Sequence, residues 1–264
     1  MKNINFFLLL AIFFSSCEEM KELPVIERAT EDLALIDLYF KLTNEDIKIS
    51  ATVANTQANF FADMWDENNR ASALGICYEG TEVGCSYEAV SVGEHELPLG
   101  VPGGFRKNRA PEYKSLFGRE VEVKLLAKGQ EIDARENPVN STVYIPDILE
   151  VVEMGIPDLE DGFTIQWNAD DDNENGVYLI IEYSPWENPR LAEDHEEKLY
   201  AYIHVEDSGS YAFQKADFAD IPGLNALVHL TVLRGTFEIA DLQEGGEQFR
   251  FLAYTQASGY ARVK

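Results

Sequence analysis

The residues best spaced for chemistry in this 264-residue chain are Asp171-Asp172-Asn173-Glu174-Asn175-Gly176, followed by Glu182. Side-chain oxygens alternate along the run and the glycine supplies a bend, the arrangement with which a loop wraps calcium. Such a loop normally leads into a helix that carries its last carboxylate back to the ion. Here Val177 to Tyr183 is apolar and β-branched, so it reads as a strand. Six strand steps place Glu182 about 20 Å beyond the glycine, out of coordination reach. Asp171, Asn173 and Asn175 are left as candidate ligands of an open, weak calcium site, the one cofactor suggested. The competing reading is a solvated loop between two strands.

Other candidates are less specific. Arg106, Lys107, Arg109, Lys114 and Arg119 form a basic island beside Phe105 and Tyr113. It would grip a carboxylate or sulfate, or pair with the chain's own acids, and the acid excess favours self-pairing. Tyr183-Ser184-Pro185-Trp186 ends a strand with two aromatics, which either stack on sugar rings or cap a core. His95, His195, His204 and His229 fall in no metal-ligand pattern, and no nucleophile elbow, phosphate loop or dinucleotide fingerprint occurs. With 47 acidic residues, any pair of carboxylates could be nominated for hydrolysis, so the choice carries no information. The sequence therefore predicts no catalytic residues and a protein that is not an enzyme.

The elements that must position these residues read as strands. Ala34–Leu42 alternates apolar and polar residues, and Ile47–Val53 does so again after Asn44-Glu45-Asp46, which predicts an antiparallel pair. A helix from Thr30 to Leu42 is the rival, since Thr30 could cap one. Further strands are predicted at Phe60–Trp65, Ala73–Tyr78, Ser86–Val92, Glu120–Ala127 and Ser141–Ile145, with an irregular loop from Pro98 to Pro111. After a junction at Ile145-Pro146-Asp147 come Phe163–Trp167, Val177–Tyr183, Leu199–Val205, Ser210–Phe213, Leu227–Arg234 and Phe249–Thr255. Asn188–Glu197 is polar enough for one short helix. Short strands between turns predict an all-β protein of two sandwich domains, residues 30–146 and 147–264.

The N-terminus supplies an address. Lys2, the apolar run Ile4 to Phe14, and Ser15-Ser16 have the three parts of an export signal, residues 1–16. That run is too short for a membrane-crossing helix, which takes about 20 residues. Phe14-Ser15-Ser16-Cys17 resembles the bacterial lipobox, although that family usually has Leu where Phe14 stands. The resemblance implies that Cys17 is diacylated and becomes the mature N-terminus, so that the partner is a membrane, reached through lipid. Residues 17–29 form an acidic tether, and Glu18-Glu19-Met20-Lys21-Glu22 resembles the signal that sends lipoproteins of Bacteroidota to the cell surface. The implied location is the outer membrane, surface-exposed, with its periplasmic face as the alternative. Cys77 and Cys85 then remain as an even pair in an oxidising compartment, either a disulfide or two buried thiols.

Trp167 on one strand, a polar loop, then Tyr178 and Ile180 on the next is similar to the B–C region of fibronectin type III and immunoglobulin-like domains. This implies two consecutive Ig-like β-sandwiches, a fold that hosts many unrelated functions. A net charge of −26 repels nucleic acid, so no nucleic-acid partner is expected. The combined expectation is a non-enzymatic envelope lipoprotein that binds or assembles with an envelope protein or a glycan. A hydrolase of extracellular polymers and a structural envelope component are the competing classes.

Overall fold

The computed structural model describes residues 27–28, 49–58, 69–77, 87–100, 108–109, 111–127, 140–158, 160–191, 199–218, 225–242 and 247–264. The lipobox cysteine Cys17, the tether except Glu27–Arg28, the predicted strands Ala34–Leu42 and Phe60–Trp65, and Cys85 lie outside them. Within them the protein is all-β, and its helical elements are three short 3-10 turns, Pro111–Leu116, Pro185–Glu187 and Lys215–Phe218.

Among the described residues, eight strands precede the junction: β1 (Glu27–Arg28), β2 (Ile49–Ala58), β3 (Asn69–Cys77), β4 (Tyr87–Val92), β5 (His95–Gly100), β6 (Asn108–Arg109), β7 (Arg119–Ala127) and β8 (Asn140–Ile145). Seven follow: β9 (Val151–Met154), β10 (Phe163–Trp167), β11 (Val177–Tyr183), β12 (Leu199–Val205), β13 (Ser210–Phe213), β14 (Leu227–Leu242) and β15 (Glu247–Arg262). One large sheet runs β12-β11-β14-β15-β2-β3-β5-β4-β7-β8, and a second, smaller one runs β13-β10-β9. The sheet continues across the junction because β14 and β15, 16 residues each, form a hairpin that serves both halves.

Ile49–Val53 of the predicted strand Ile47–Val53 lies in β2, flanked by β15, parallel, and β3, antiparallel. One expectation needs correction. The expected loop from Pro98 is shorter than predicted. β5 continues through Pro98, opposite Ala89 of β4, before Leu99 and Gly100 pair with β3. Pro98 thus sits at the changeover between partners, where a missing N–H interrupts neither ladder's interior.

Alternation along the long hairpin divides the inner face into three zones. Val228, Leu230 and Val232 of β14, with Ala257, Ala261 and the following Val263, join Trp167, Leu179, Ile181 and Tyr183 in one apolar core. Ala240, Phe249, Phe251 and Ala253 at the other end join Val53, Val90, Leu125 and Ile145 in a second. Between them the same face carries Arg234, Thr236, Glu238, Thr255, Asn55 and Gln57, all buried. A polar belt therefore separates two apolar cores on one continuous sheet.

The belt holds the junction. Residues 147–150 belong to no strand, so their backbone groups must find other partners. Asp147 N–H donates to Asp170 Oδ2 (2.7 Å), Ile148 N–H to Asp147 Oδ1 (2.7 Å), Leu149 N–H to Thr255 Oγ1 (2.9 Å) and Glu150 N–H to Asn168 Oδ1 (2.7 Å). On the carbonyl side, Arg234 Nε donates to Asp147 O (3.0 Å) and Nη2 to Ile148 O (3.3 Å). Arg234 Nη1 completes the set with Asn168 O (3.0 Å) and Asp207 Oδ2 (2.9 Å). The Arg234 and Asp207 side chains are 0% and 2% exposed, so this ion pair is dry.

Removing one partner of such a pair leaves an uncompensated charge in the interior, which costs about 3–5 kcal/mol. Arg234→Met is expected to lose that much in urea unfolding. Arg234→Met combined with Asp207→Asn is expected to recover part of it. Equal losses in the single and double variants would show that the charge pair is not what the belt depends on.

Candidate functional site

The residues singled out for calcium sit where β10 and β11 are joined, and the structure shows what each side chain does. Asn173 is buried, and its Nδ2 donates to Gly176 O (2.8 Å) and to Asp207 Oδ2 (2.9 Å). Its Oδ1 accepts from Asn175 N–H (3.3 Å). Asn175 Nδ2 donates to Gly235 O (3.2 Å) and Thr236 Oγ1 (3.3 Å) on β14. Asp171 is exposed. Both asparagines thus use amide N–H groups, which a carboxylate lacks and a metal cannot use. Gly176 ends the loop with φ +69°, and a Cβ there would collide with Val205 O, so a glycine is required. Glu182 lies in β11 between Tyr200 and His229, away from the loop.

Two carboxylates that the sequence did not single out anchor the loop. Asp170 is buried and accepts from Tyr144 Oη (2.7 Å), Asp147 N–H and Asp172 N–H (3.3 Å). Asp207, beyond β12, accepts from Trp167 Nε1 (2.7 Å) as well as from Asn173 and Arg234. The only advance signal for Asp170 was its place at the head of an acidic run. Asp207 had none, because its partners lie in β10, β14 and the loop.

Around this loop lies an open cleft of about 510 Å³, lined among others by Asp170, Asp171, Glu174, His204, Glu206 and Asp207. His204 stacks on Tyr178, with ring centroids 4.3 Å apart, and its Nε2 lies 2.8 Å from Asn175 O. The oxygens of Asp170 and Asp207 are engaged by donors of the fold, and Asp171 and Glu206 add negative charge at the rim. Among the described residues no group of three or more His, Cys, Asp or Glu side chains is placed to hold a metal. Of the three candidate calcium ligands, Asn173 and Asn175 turn amide N–H groups to the fold and Asp171 is the exposed carboxylate.

At the opposite end of β11 the aromatic pair separates. Tyr183 is fully buried, whereas Trp186 is 88% exposed on the 3-10 turn Pro185–Glu187. Capping a core is excluded for Trp186. Asn188 pins that turn: its Nδ2 donates to Ser184 O (3.0 Å) and Leu227 O (2.8 Å), and its Oδ1 accepts from Leu227 N–H (2.6 Å). The indole is therefore presented from a fixed support at the start of β14.

The described residues of the basic island lie on separate elements. Tyr113 is buried in the first core, with its ring 5.1 Å from that of His95 in an edge-on contact. Arg109 lies in β6, Lys114 is half-buried on the first 3-10 turn, and Arg119 begins β7 at the surface. Phe105, Arg106 and Lys107 lie outside the described residues, as does His195. His229 lies in β14, 4.8 Å from the Tyr260 ring.

Tyr144 links this site to pH. Burial, then the hydrogen bond and charge of Asp170, push its phenol well above the ordinary 10.0. Burial raises Tyr183, and burial with the neighbouring Asp217 raises Tyr211. The folded chain then keeps protons that the unfolded chain releases, so stability is complete below about pH 10 and falls as pH rises beyond it. Urea unfolding between about pH 9 and 11 should show this decline, shallower in Tyr144→Phe. An unchanged slope in that variant would remove the link. Calcium at millimolar concentration is expected to leave the melting temperature where it is, and a rise of several degrees would make the loop a metal site.

No protein-family model, curated protein or solved structure matches this chain.

Proposed function

We propose that this protein is a lipid-anchored outer-membrane protein that works as a non-enzymatic binding or assembly module at the cell surface. The observation that carries the binding role is Trp186, a large aromatic 88% exposed on a turn pinned by buried Asn188. Leaving an indole in water forgoes the burial that a core position would provide, about 25 cal/mol per Å² of apolar surface. A rigidly held aromatic is well suited to stacking on a sugar ring or filling a partner's pocket, because little side-chain entropy is lost on contact. The anchor rests on Cys17 and the signal-like residues before it. The acidic tether favours the outer surface over the periplasmic face.

The same reading takes the body as two Ig-like sandwiches in tandem. In the second half, β9, β10 and β13 share one sheet while β11, β14 and β15 are neighbours in the other. This corresponds to strands A, B, E and C, F, G of an immunoglobulin-type sandwich. Trp167, on the strand corresponding to B, is 3% exposed between the sheets. In the first half, β2 and β3 share a core with β4, β7 and β8. Their link is the β14–β15 hairpin, which runs past the second core into the first.

Mass spectrometry of the protein purified from its native membrane should find Cys17 acylated as the first residue. It should also find Cys77 and Cys85 lacking two hydrogens, as a disulfide requires. Trp186→Ala should leave folding stability within about 0.5 kcal/mol of the parent, as for a surface position. It should also abolish retention of the binding partner in affinity purification from surface-intact cells. An unmodified cysteine would remove the anchor, and full retention by the variant would remove the binding role of Trp186.

A further inference from the structure

The polar belt contains an amide that the protein itself does not satisfy. Asn55, in the middle of β2, is 0% exposed, and neither its Oδ1 nor its Nδ2 has a hydrogen-bond partner among the described residues. Two residues along the same face, Gln57 is 4% exposed and its Oε1 is likewise unpartnered. A buried polar atom without a partner costs about 1–3 kcal/mol, and Asn55 alone presents two. Native interiors leave very few such groups unexplained.

Register shows which side chains lie beside them. Directly across from Asn55 are Thr255 on β15 and Ala71 on β3. The diagonal positions on the same face include Ala253 and Ala257 on β15 and Ala73 on β3, because Val53 faces Ala253 and Ala73 while Gln57 faces Ala257. All of these neighbours are small and buried. Thr255 adds a hydroxyl: its Oγ1 already accepts from Leu149 N–H, which leaves its own proton to donate. Asn55 Oδ1, Asn55 Nδ2, Gln57 Oε1 and the Thr255 hydroxyl are thus four polar groups around a patch of alanines. An internal water typically makes about three hydrogen bonds and enters where two to four polar partners converge.

We infer that the belt between the two apolar cores is a hydration site, in which at least one internal water bridges Asn55 to Gln57 and Thr255. The water completes the hydrogen bonding of the seam beside Arg234 and belongs to the folded structure. This goes beyond the surface role of the protein and does not depend on it.

Two measurements on the full chain test it. Asn55→Leu keeps the heavy-atom count and the branch at Cγ while removing the water's main partners. If the site is hydrated, this variant strands the remaining polar groups and the melting temperature falls by several degrees. If the amide were instead buried dry and unpaired, the same change would remove a penalty and the melting temperature would rise, overturning the inference. Should the variant fail to fold, a high-resolution crystal structure of the parent decides. Spherical density within hydrogen-bond distance of both Asn55 and Gln57 supports the inference, and an Asn55 amide paired directly with protein atoms overturns it.

Discussion

Arg234 brings a full positive charge into the interior and is surrounded by the groups that it alone can join. Its guanidinium reaches the carbonyls of Asp147, Ile148 and Asn168 and the carboxylate of Asp207. An ammonium could not do this, since a lysine offers three donors from a single point while the guanidinium spreads five over a rigid plane. Asp207 in turn fixes Trp167 of the second core and Asn173 of the loop. One side chain on β14 therefore sets the path of the junction, the conformation of the polar loop and the seat of a core tryptophan. The junction between the two halves is consequently a hydrogen-bonded joint, although inter-domain linkers are commonly exposed and weakly held.

Much of the second half was legible because its strands are short and each faces one environment. Phe163–Trp167, Leu199–Val205 and Ser210–Phe213 begin and end where predicted, and so does the apolar, β-branched run Val177–Tyr183. The long hairpin was read short for the opposite reason. β14 was predicted to stop at Arg234 and β15 at Thr255, yet both strands continue, and those two residues face each other across the ladder. A charged residue after an apolar run reads as a strand reaching solvent, but here the strand crosses from one core into a polar belt and on into another. The pattern of a single chain cannot distinguish these cases, because the belt is assembled from β2, β14, β15 and the junction together. β9 escaped notice for a related reason: Val152 and Glu153 are both exposed, so no two-residue alternation survives.

The loop shows how one local pattern can serve two chemistries. Alternating oxygens followed by a glycine do occur, and the extended reading of Val177–Tyr183 correctly placed Glu182 beyond reach. What the string of letters hid is that Asn173 and Asn175 are used as donors. Asparagine carries both an acceptor and two N–H donors, and only the surroundings decide which face the backbone. With the carbonyls of Gly176 and Gly235 beside them, the amides serve to close a turn. Trp186 was undecided for a simpler reason, since nothing in Tyr-Ser-Pro-Trp says which aromatic turns inward.

A belt of polar residues through the interior of an all-β protein contributes less stability than apolar residues of the same volume would, because every charge must first be taken out of water. Its effect on register is more definite. Moving β14 by one residue against its neighbours would turn Arg234 to the outer face and place Leu233 against Asp207. A two-residue slip would keep the face but carry the guanidinium nearly 7 Å along the strand, beyond reach of Asp147, Ile148 and Asn168. Apolar residues tolerate such slips, since one β-branched side chain packs much like another, and a 16-residue hairpin lined only by them would have several near-equivalent pairings. Arg234, Thr255 and Asn173 remove that degeneracy, since each has partners at only one alignment. With the alignment fixed, the start of β14 is fixed too, and Asn188 binds to Leu227 at that point to hold the turn that carries Trp186. The buried charge at the centre of the hairpin and the exposed indole at its end are thus connected through a single strand, whose position the charge determines.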